Sequence, residues 1–284
     1  MRYEWKVESY DANVSLLSFL QEKLKGSGFS MRKIKGWIDA GYCSILNRPE
    51  RFSRTSIKAG QSIVLEVRER KSLPLQIIYE DDACIVLDKP EGITCDERLL
   101  KDFAKKNKHV ELVHRLDKGT TGLLLLAKTA IAKDFFINQF RTREIEKIYV
   151  AIVDKVVIKD HGCIENYLGP IQRYQGHVKW GEVHANGYFA STKWHVLQRT
   201  KNATYLQFAP KTGKTHQIRV HASGMGHPIL GDYTYAKKFF CPYSINRVLL
   251  HAKTLRFCHP DTQKMMSFTA PLPDDFIMCL KELF

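Results

Sequence analysis

The stretch "VHRLDKGTTGLLLLAK", residues 113 to 128, sets an acid among bases at the mouth of an apolar run. His114, Arg115, Asp117 and Lys118 lead through two threonines and a glycine into four consecutive leucines. The leucines read as a buried strand stopped by Lys128, with Asp117 in the loop just before it. A carboxylate is ionised near neutral pH and can serve as a covalent nucleophile. An isolated loop aspartate more often caps a turn or pairs with a neighbour such as Arg115. Two other segments shift the balance. Arg219 lies in "THQIRVHA", which alternates like a strand, and a guanidinium there is costly to bury without a carboxylate partner. Tyr149 in "EKIYVAIV" puts a phenol in another apolar strand. Converging from separate strands, the three would supply a nucleophile, its ion-pair partner, and a group for stacking or proton transfer.

Other apparent motifs fail on spacing. "TGKT" at 212 to 215 resembles the end of a phosphate-binding P-loop, but Phe208 stands where that loop needs a glycine. "GMGHPILG" reads as a turn. His216, His221 and His227 lack the HExxH spacing and an accompanying acid, so no metal site is expected. Seven cysteines, at 43, 84, 95, 163, 241, 258 and 279, form no CxxC pair and read as reduced thiols.

The elements that must position such a site follow from the apolar patterning. The chain has 284 residues, enough for one large domain or a large one with a small partner. A break falls at "RERKSLPLQ", residues 68 to 76. Before it, "SLLSFLQEKL" and "SMRKIKGWIDAG" have helical spacing, the second with a serine suited to an N-cap, followed by β-like "YCSILN" and "QSIVLEV". After it come β-rich runs, "LQIIYE", "CIVLDK", "TGLLLLAK", "KIYVAIV", "YFASTKWHVL", "ATYLQFAP" and "THQIRVHAS", with "TAIAKDFFINQFRTRE" the clearest helix. Strands do not alternate regularly with helices. The expected class is therefore α+β, a large mixed sheet with flanking helices plus a small N-terminal α/β unit.

Charge narrows the partner. Lys and Arg number 44 against 30 Asp and Glu, a net charge of +14, which attracts polyanions. Arg32, Lys33 and Lys35 cluster at the start of the second helix. No apolar run reaches spanning length, and no basic amphipathic helix has a long apolar face, so nucleic acid is expected rather than membrane. The N-terminus lacks the features of a secretion signal, and a cytoplasmic location is expected.

"HRLDKGTTGLLLLAK" resembles the signature of the RluA-type family of pseudouridine synthases, HRLDxxTSGLLLLAK. The similarity runs through "IIYEDDACIVLDKPEGI", "REIEKIYVAIV", "TGKTHQIRVHASGMGHPILGDYTY", "LLHAKTLRF" and "APLPDDF". Thr121, Lys214 and Asp88 stand where the family usually has serine, arginine and asparagine. Residues 15 to 68 resemble the S4 RNA-binding module. The resemblance implies an S4-like domain over 1–70 and a catalytic domain over 75–284 whose sheet is mainly antiparallel. It implies an isomerase that breaks the uracil N1 to ribose C1′ bond and rejoins the base through C5, with no cofactor. Asp117 would be the essential carboxylate, acting at C1′, at C6 or through C2′. Arg219 would hold it by a charge-assisted pair, and Tyr149 would stack on the base. The uridine must be extruded from folded RNA, with Arg115 filling the vacated space or contacting phosphate. His114 would orient the loop or serve structure. Lys118, Arg32, Lys33 and Lys35 would contact phosphates without reading sequence.

A monomer acting on large-subunit ribosomal RNA is the favoured reading, with transfer RNA as the alternative. A non-catalytic RNA-binding assembly factor would have lost part of the Asp117, Tyr149 and Arg219 set. A metal-dependent RNA enzyme lacks ligand spacing.

Overall fold

A computed structural model describes residues 1–39, 41–67, 75–104, 109–174, 177–243, 245 and 247–284. The chain divides into two compact units, Met1–Leu73 and Pro74–Phe284. Most of the break expected from sequence, residues 68–74, lies outside the described residues.

The first unit packs helices α1 (Leu16–Lys23) and α2 (Met31–Asp39) with strands β1 (Arg2–Lys6), β2 (Cys43–Ile45), β3 (Arg48–Glu50) and β4 (Ser62–Glu66). The strands form an antiparallel sheet in the order β1-β4-β2-β3. Helix α1 starts where Ser15 Oγ accepts the Ser18 N–H at 3.1 Å, satisfying one of the amides that a helix start leaves open. Ser30 does the same for the Lys33 N–H at 3.3 Å. The spacing of Ile34, Trp37 and Ile38 puts all three on one buried face of α2, leaving Arg32 and Lys33 exposed. Lys35 is tied to Asp39 at 2.8 Å, one helical turn on.

The second unit opens with β5 (Gln76–Glu80), β6 (Cys84–Lys89), α3 (Glu97–Ala104), β7 (Glu111–Leu112), β8 (Thr121–Ala127), α4 (Ala130–Thr142) and β9 (Glu146–Asp154). It continues with β10 (His161–Tyr174), β11 (His177–Glu182), β12 (Tyr188–Arg199), β13 (Ala203–Pro210), α5 (Gln217–Gly224), β14 (Leu250–Cys258), β15 (Met265–Thr269) and α6 (Asp274–Leu283). Its sheet runs β11-β10-β12-β13-β9-β14-β8-β6-β5, with β15 added to β14 and β7 to β8. Only β8 and β14 pair in parallel among the described residues, so the expected α+β class with a mainly antiparallel sheet is what the chain adopts. No helix among the described residues is long and apolar enough to cross a membrane.

The leucine run is continuous because β8 is buried on both faces. Leu123 and Leu125 pack with Phe136 of α4, whereas Leu124 and Leu126 pack with Leu99 and Phe103 of α3. A buried leucine contributes about 1.5–3 kcal/mol, so alternate leucines weld two layers to one strand. At its start Gly122 has φ +106, and a Cβ there would lie 2.3 Å from the Ala252 carbonyl oxygen. Only glycine lets β8 approach β14 this closely while the chain turns in from the Asp117 loop.

"THQIRVHAS" is the main correction. It forms helix α5, not a strand. Its alternation of apolar and polar residues misleads because Gln217 to Ala222 are all buried, the polar ones among partners of their own. Gln217 Nε2 donates to Thr192 Oγ1 at 2.8 Å, and His221 bridges Thr192 Oγ1 (2.9 Å) and Asn166 Oδ1 (3.0 Å). When polar residues are buried as fully as their neighbours, hydropathy carries no period.

Candidate active site

The loop carrying Asp117 is fastened at several points before any substrate arrives. His114 Nε2 accepts the Leu125 N–H of β8 at 2.9 Å, and its ring packs 4.8 Å from that of Phe140. Burial, reinforced by the charge of Lys147, pushes the His114 pKa down to about 3. The imidazole is thus neutral and turned into the protein. The Leu116 N–H points to Cys95 Sγ at 3.4 Å, the Gly92 N–H donates to the Lys118 carbonyl at 2.7 Å, and the Thr120 N–H donates to the Asp117 carbonyl at 3.0 Å. Beneath the loop lies Lys89, fully buried, which the sequence reading passed over as a site residue. Its ammonium donates to the Pro90 and Ile93 carbonyls at 3.0 Å and reaches the Lys118 carbonyl at 3.5 Å. Desolvation holds its pKa down to about 8.

Three elements meet above this loop. Arg219 Nη1, from α5, donates to Asp117 Oδ2 at 3.2 Å. Sequence alone put that arginine on a strand with Asp117 as its carboxylate. Its closest partner is instead Asp232, which accepts from Nε at 2.7 Å and Nη2 at 2.8 Å, with Thr234 Oγ1 taking a further bond at 3.1 Å. The second acid was missed, although the cost of burying a guanidinium is the signal that would have called for it. Tyr149, on β9, lines the same cleft. Burial first, then the charge of Asp117, raises its phenol pKa well above the usual tyrosine value. His216 stands at the start of α5 in a left-handed conformation, φ +57. Its Nδ1 lies 2.8 Å from the Tyr235 hydroxyl and its Nε2 3.8 Å from Asp117 Oδ2.

The cleft around these residues has a volume of about 860 Å³. Arg115, Arg141, Arg143, Lys147, Lys211, Lys214 and Arg219 line it, against a single carboxylate, Asp117. Arg115 is exposed at this lining, as is Lys118 on the loop outside it. Arg32, Lys33 and Lys35 belong to the first unit, on α2. The three histidines considered as ligands do not converge. His227 Nδ1 lies 3.0 Å from the Asp154 carbonyl, while His216 and His221 turn to the partners given above. Among the described residues one His/Cys/Asp group is close enough to share a cation: Asp81, Cys84 and His259. There His259 Nδ1 accepts two backbone N–H groups, from Asp261 and Thr262, and Nε2 lies 2.7 Å from Asp81. Both ring nitrogens are occupied by protein.

A basic cleft with one clamped carboxylate matches what known proteins share with this chain. The model of the family described as RNA pseudouridylate synthase matches residues 83–224, from β6 through α5, which includes Asp117, Tyr149 and Arg219. The chain belongs to the RNA pseudouridylate synthase family. It is thus an isomerase acting on RNA, as its RluA-type motifs imply. It is similar to ribosomal large subunit pseudouridine synthase D of Haemophilus influenzae, 32% identical over 286 residues, 90% of this chain and 87% of that one. Ribosomal large subunit pseudouridine synthase C of Vibrio vulnificus is 33% identical over 225 residues, 73% of this chain and 69% of that one. Among solved structures, human RNA Pseudouridylate Synthase Domain Containing 4 superposes with a TM-score of 0.60 at 26% identity, covering 73% of this chain and 92% of that one.

Proposed function

We propose that this RNA isomerase converts uridines of large-subunit ribosomal RNA to pseudouridine, with Asp117 as the reacting carboxylate. The observation that carries the assignment is the asymmetry of Asp117. Both Arg219 and His216 approach Oδ2, while the Asp117 side chain stays partly exposed in the lining of the cleft. Oδ1 is the oxygen offered to the nucleotide. The basic lining draws the RNA backbone in, and the uridine turns out of its stack to reach the carboxylate. In the net reaction the C1′–N1 bond breaks, a C1′–C5 bond forms, C5 loses its proton and N1 gains one. Tyr149 enters as the phenol, because burial and Asp117 oppose its ionisation. It stacks on the base and donates a hydrogen bond rather than acting as a ready-made base. Arg115 takes the space the uridine leaves, or a phosphate next to it. His114 positions the loop from within.

The names of the similar proteins support ribosomal RNA over transfer RNA. The small first unit, with its exposed Arg32 and Lys33, acts as an S4-like RNA-binding domain over residues 1–70, ahead of the catalytic domain over 75–284. The protein works as a cytoplasmic monomer. Pseudouridine mapping of total RNA from cells lacking the protein, complemented with wild type or Asp117→Asn, tests the whole reading. Specific large-subunit sites should vanish and return only with wild type. Sites that vanish from transfer RNA instead would correct the substrate. Equal rescue by the Asn variant would remove Asp117 from the chemistry.

A further inference from the structure

Lys147 is a cation of the cleft that burial takes partly out of water while protein partners satisfy it poorly. Its ammonium finds one carbonyl, Thr212, at 3.5 Å, and sits 5.6 Å from the Phe140 ring. No carboxylate acts on it among the described residues, and the charge it feels is the like charge of Lys211. Apart from Asp117, which Arg219 holds, the charged groups that line the cleft with it are cations: Lys211 and Lys214 from the loop after β13, and Arg141 and Arg143 at the end of α4, with neutral His114 beside them. Glu146, the next residue on β9, has an alternate strand position and pairs with Arg256 at 3.4 Å. A desolvated ammonium with no counter-ion is expensive, and a ligand anion relieves that cost.

Its place on the strand says which anion. Lys147 and Tyr149 are two residues apart on β9, so they share a face about 7 Å apart. A nucleotide whose base lies against the phenol has its backbone within reach of the ammonium. We propose that Lys147 is the phosphate-binding residue of the cleft, gripping the RNA backbone beside the extruded uridine against the Thr212–Gly213 edge. This rests on the RNA-isomerase reading and adds a binding residue to it. Burial, and then the like charge of Lys211, holds the lysine's pKa down to about 8. An arriving phosphate then draws a proton onto it, and RNA affinity falls as the pH rises past that value. An arginine in its place stays charged and lacks this dependence.

The probe is large-subunit ribosomal RNA labelled with tritium at uridine C5, made in cells lacking the protein. Tritium release gives KM and kcat, and filter binding of the same RNA gives Kd. Lys147→Met should raise Kd and KM about tenfold at pH 7, the loss falling on KM rather than kcat. It should also flatten the slope of log Kd against log salt by about 0.7–0.9, one phosphate's worth. Lys147→Arg should keep the wild-type Kd at pH 7 and hold it at pH 9, where that of wild type rises. A Met variant with wild-type Kd and salt slope overturns the proposal, as does an Arg variant that weakens at pH 9 like wild type. Absence of tritium release by wild type counts against the isomerase substrate alone, because the binding comparison still scores Lys147.

Discussion

Two carboxylates share the guanidinium of Arg219, and they are built for different ends. The Asp232 side chain is 1% exposed and gives both oxygens to the arginine, at 2.7 and 2.8 Å. Asp117 is 27% exposed and gives one oxygen, at 3.2 Å. Gly231, φ +78, helps seat the first: a Cβ there would overlap the Arg247 carbonyl oxygen at 1.8 Å, so the turn into Asp232 requires glycine. The lesson is a division of labour. Were Asp117 the sole counter-ion, any bond it made to substrate would strand a buried cation. With Asp232 holding Arg219 permanently, Asp117 is oriented by the arginine but is not needed to neutralise it.

The sharpest way to break this comparison is to disable each acid in turn. Asp117→Asn should lower single-turnover tritium release at least about 10³-fold, because an amide is no nucleophile. Its thermal midpoint should move by no more than about 4 °C, since Arg219 keeps Asp232. A larger drop in midpoint would show that Asp117 carries the pairing after all. Asp232→Asn should do the reverse. Removing one member of a buried pair costs about 3–5 kcal/mol, to be read as a lower urea midpoint at unchanged slope. Turnover should fall with it, through a loosened Arg219, yet remain above that of Asp117→Asn. Wild-type stability in Asp232→Asn would reduce that carboxylate to a bystander.

How much of this was legible in advance differs between the two acids. Asp117 stood out because its neighbours are chemically odd for a strand entrance, and that oddness survives without coordinates. Asp232 sits in "GDYTY", a stretch with no hydropathy signal, and only the tertiary fold brings it to Arg219. The strands β5, β6, β8 and β9 were readable from short apolar runs, and β12 and β13 from aromatic and β-branched residues mixed with polar ones. Helix α5 was not, since Gln217 to Ala222 are all buried and polar residues occupy every second place. Lys89 and Lys147 look alike in sequence, each a lysine at one end of a strand. One is enclosed by three carbonyls and the other opens on the cleft. Nothing local to either residue encodes that difference.

Tyr149 tests the chemistry on Asp117's open side. Tyr149→Phe keeps the ring and removes the hydroxyl. If the phenol donates a hydrogen bond in the transition state, kcat should drop about tenfold to hundredfold with RNA affinity held. An unchanged kcat would leave stacking as its whole contribution.

The smallest expected effect concerns what holds the Asp117 loop, as opposed to the Arg219–Asp232 pair above it. His114 accepts a backbone N–H through Nε2 and has its pKa held down to about 3, against 6.5 for a free side chain. Protonation removes the acceptor. The native state binds fewer protons at this residue than the unfolded chain between these values, so its contribution to stability is complete above pH 6.5 and is lost as the pH falls toward 3. At pH 5 the loss is about 1–2 kcal/mol. His221 and His251, each pushed down to about 4 by burial, titrate in the same direction, so wild type alone does not isolate His114. His114→Gln does: the amide oxygen still accepts the Leu125 N–H but takes up no proton. Urea unfolding of the two proteins at pH 7 and pH 5 should show a smaller acid loss in the variant by about that amount. An equal loss would mean that the loop carrying Asp117 is held without His114. Its rigidity would then rest on the same buried framework as Asp232, and the two acids would differ in exposure alone.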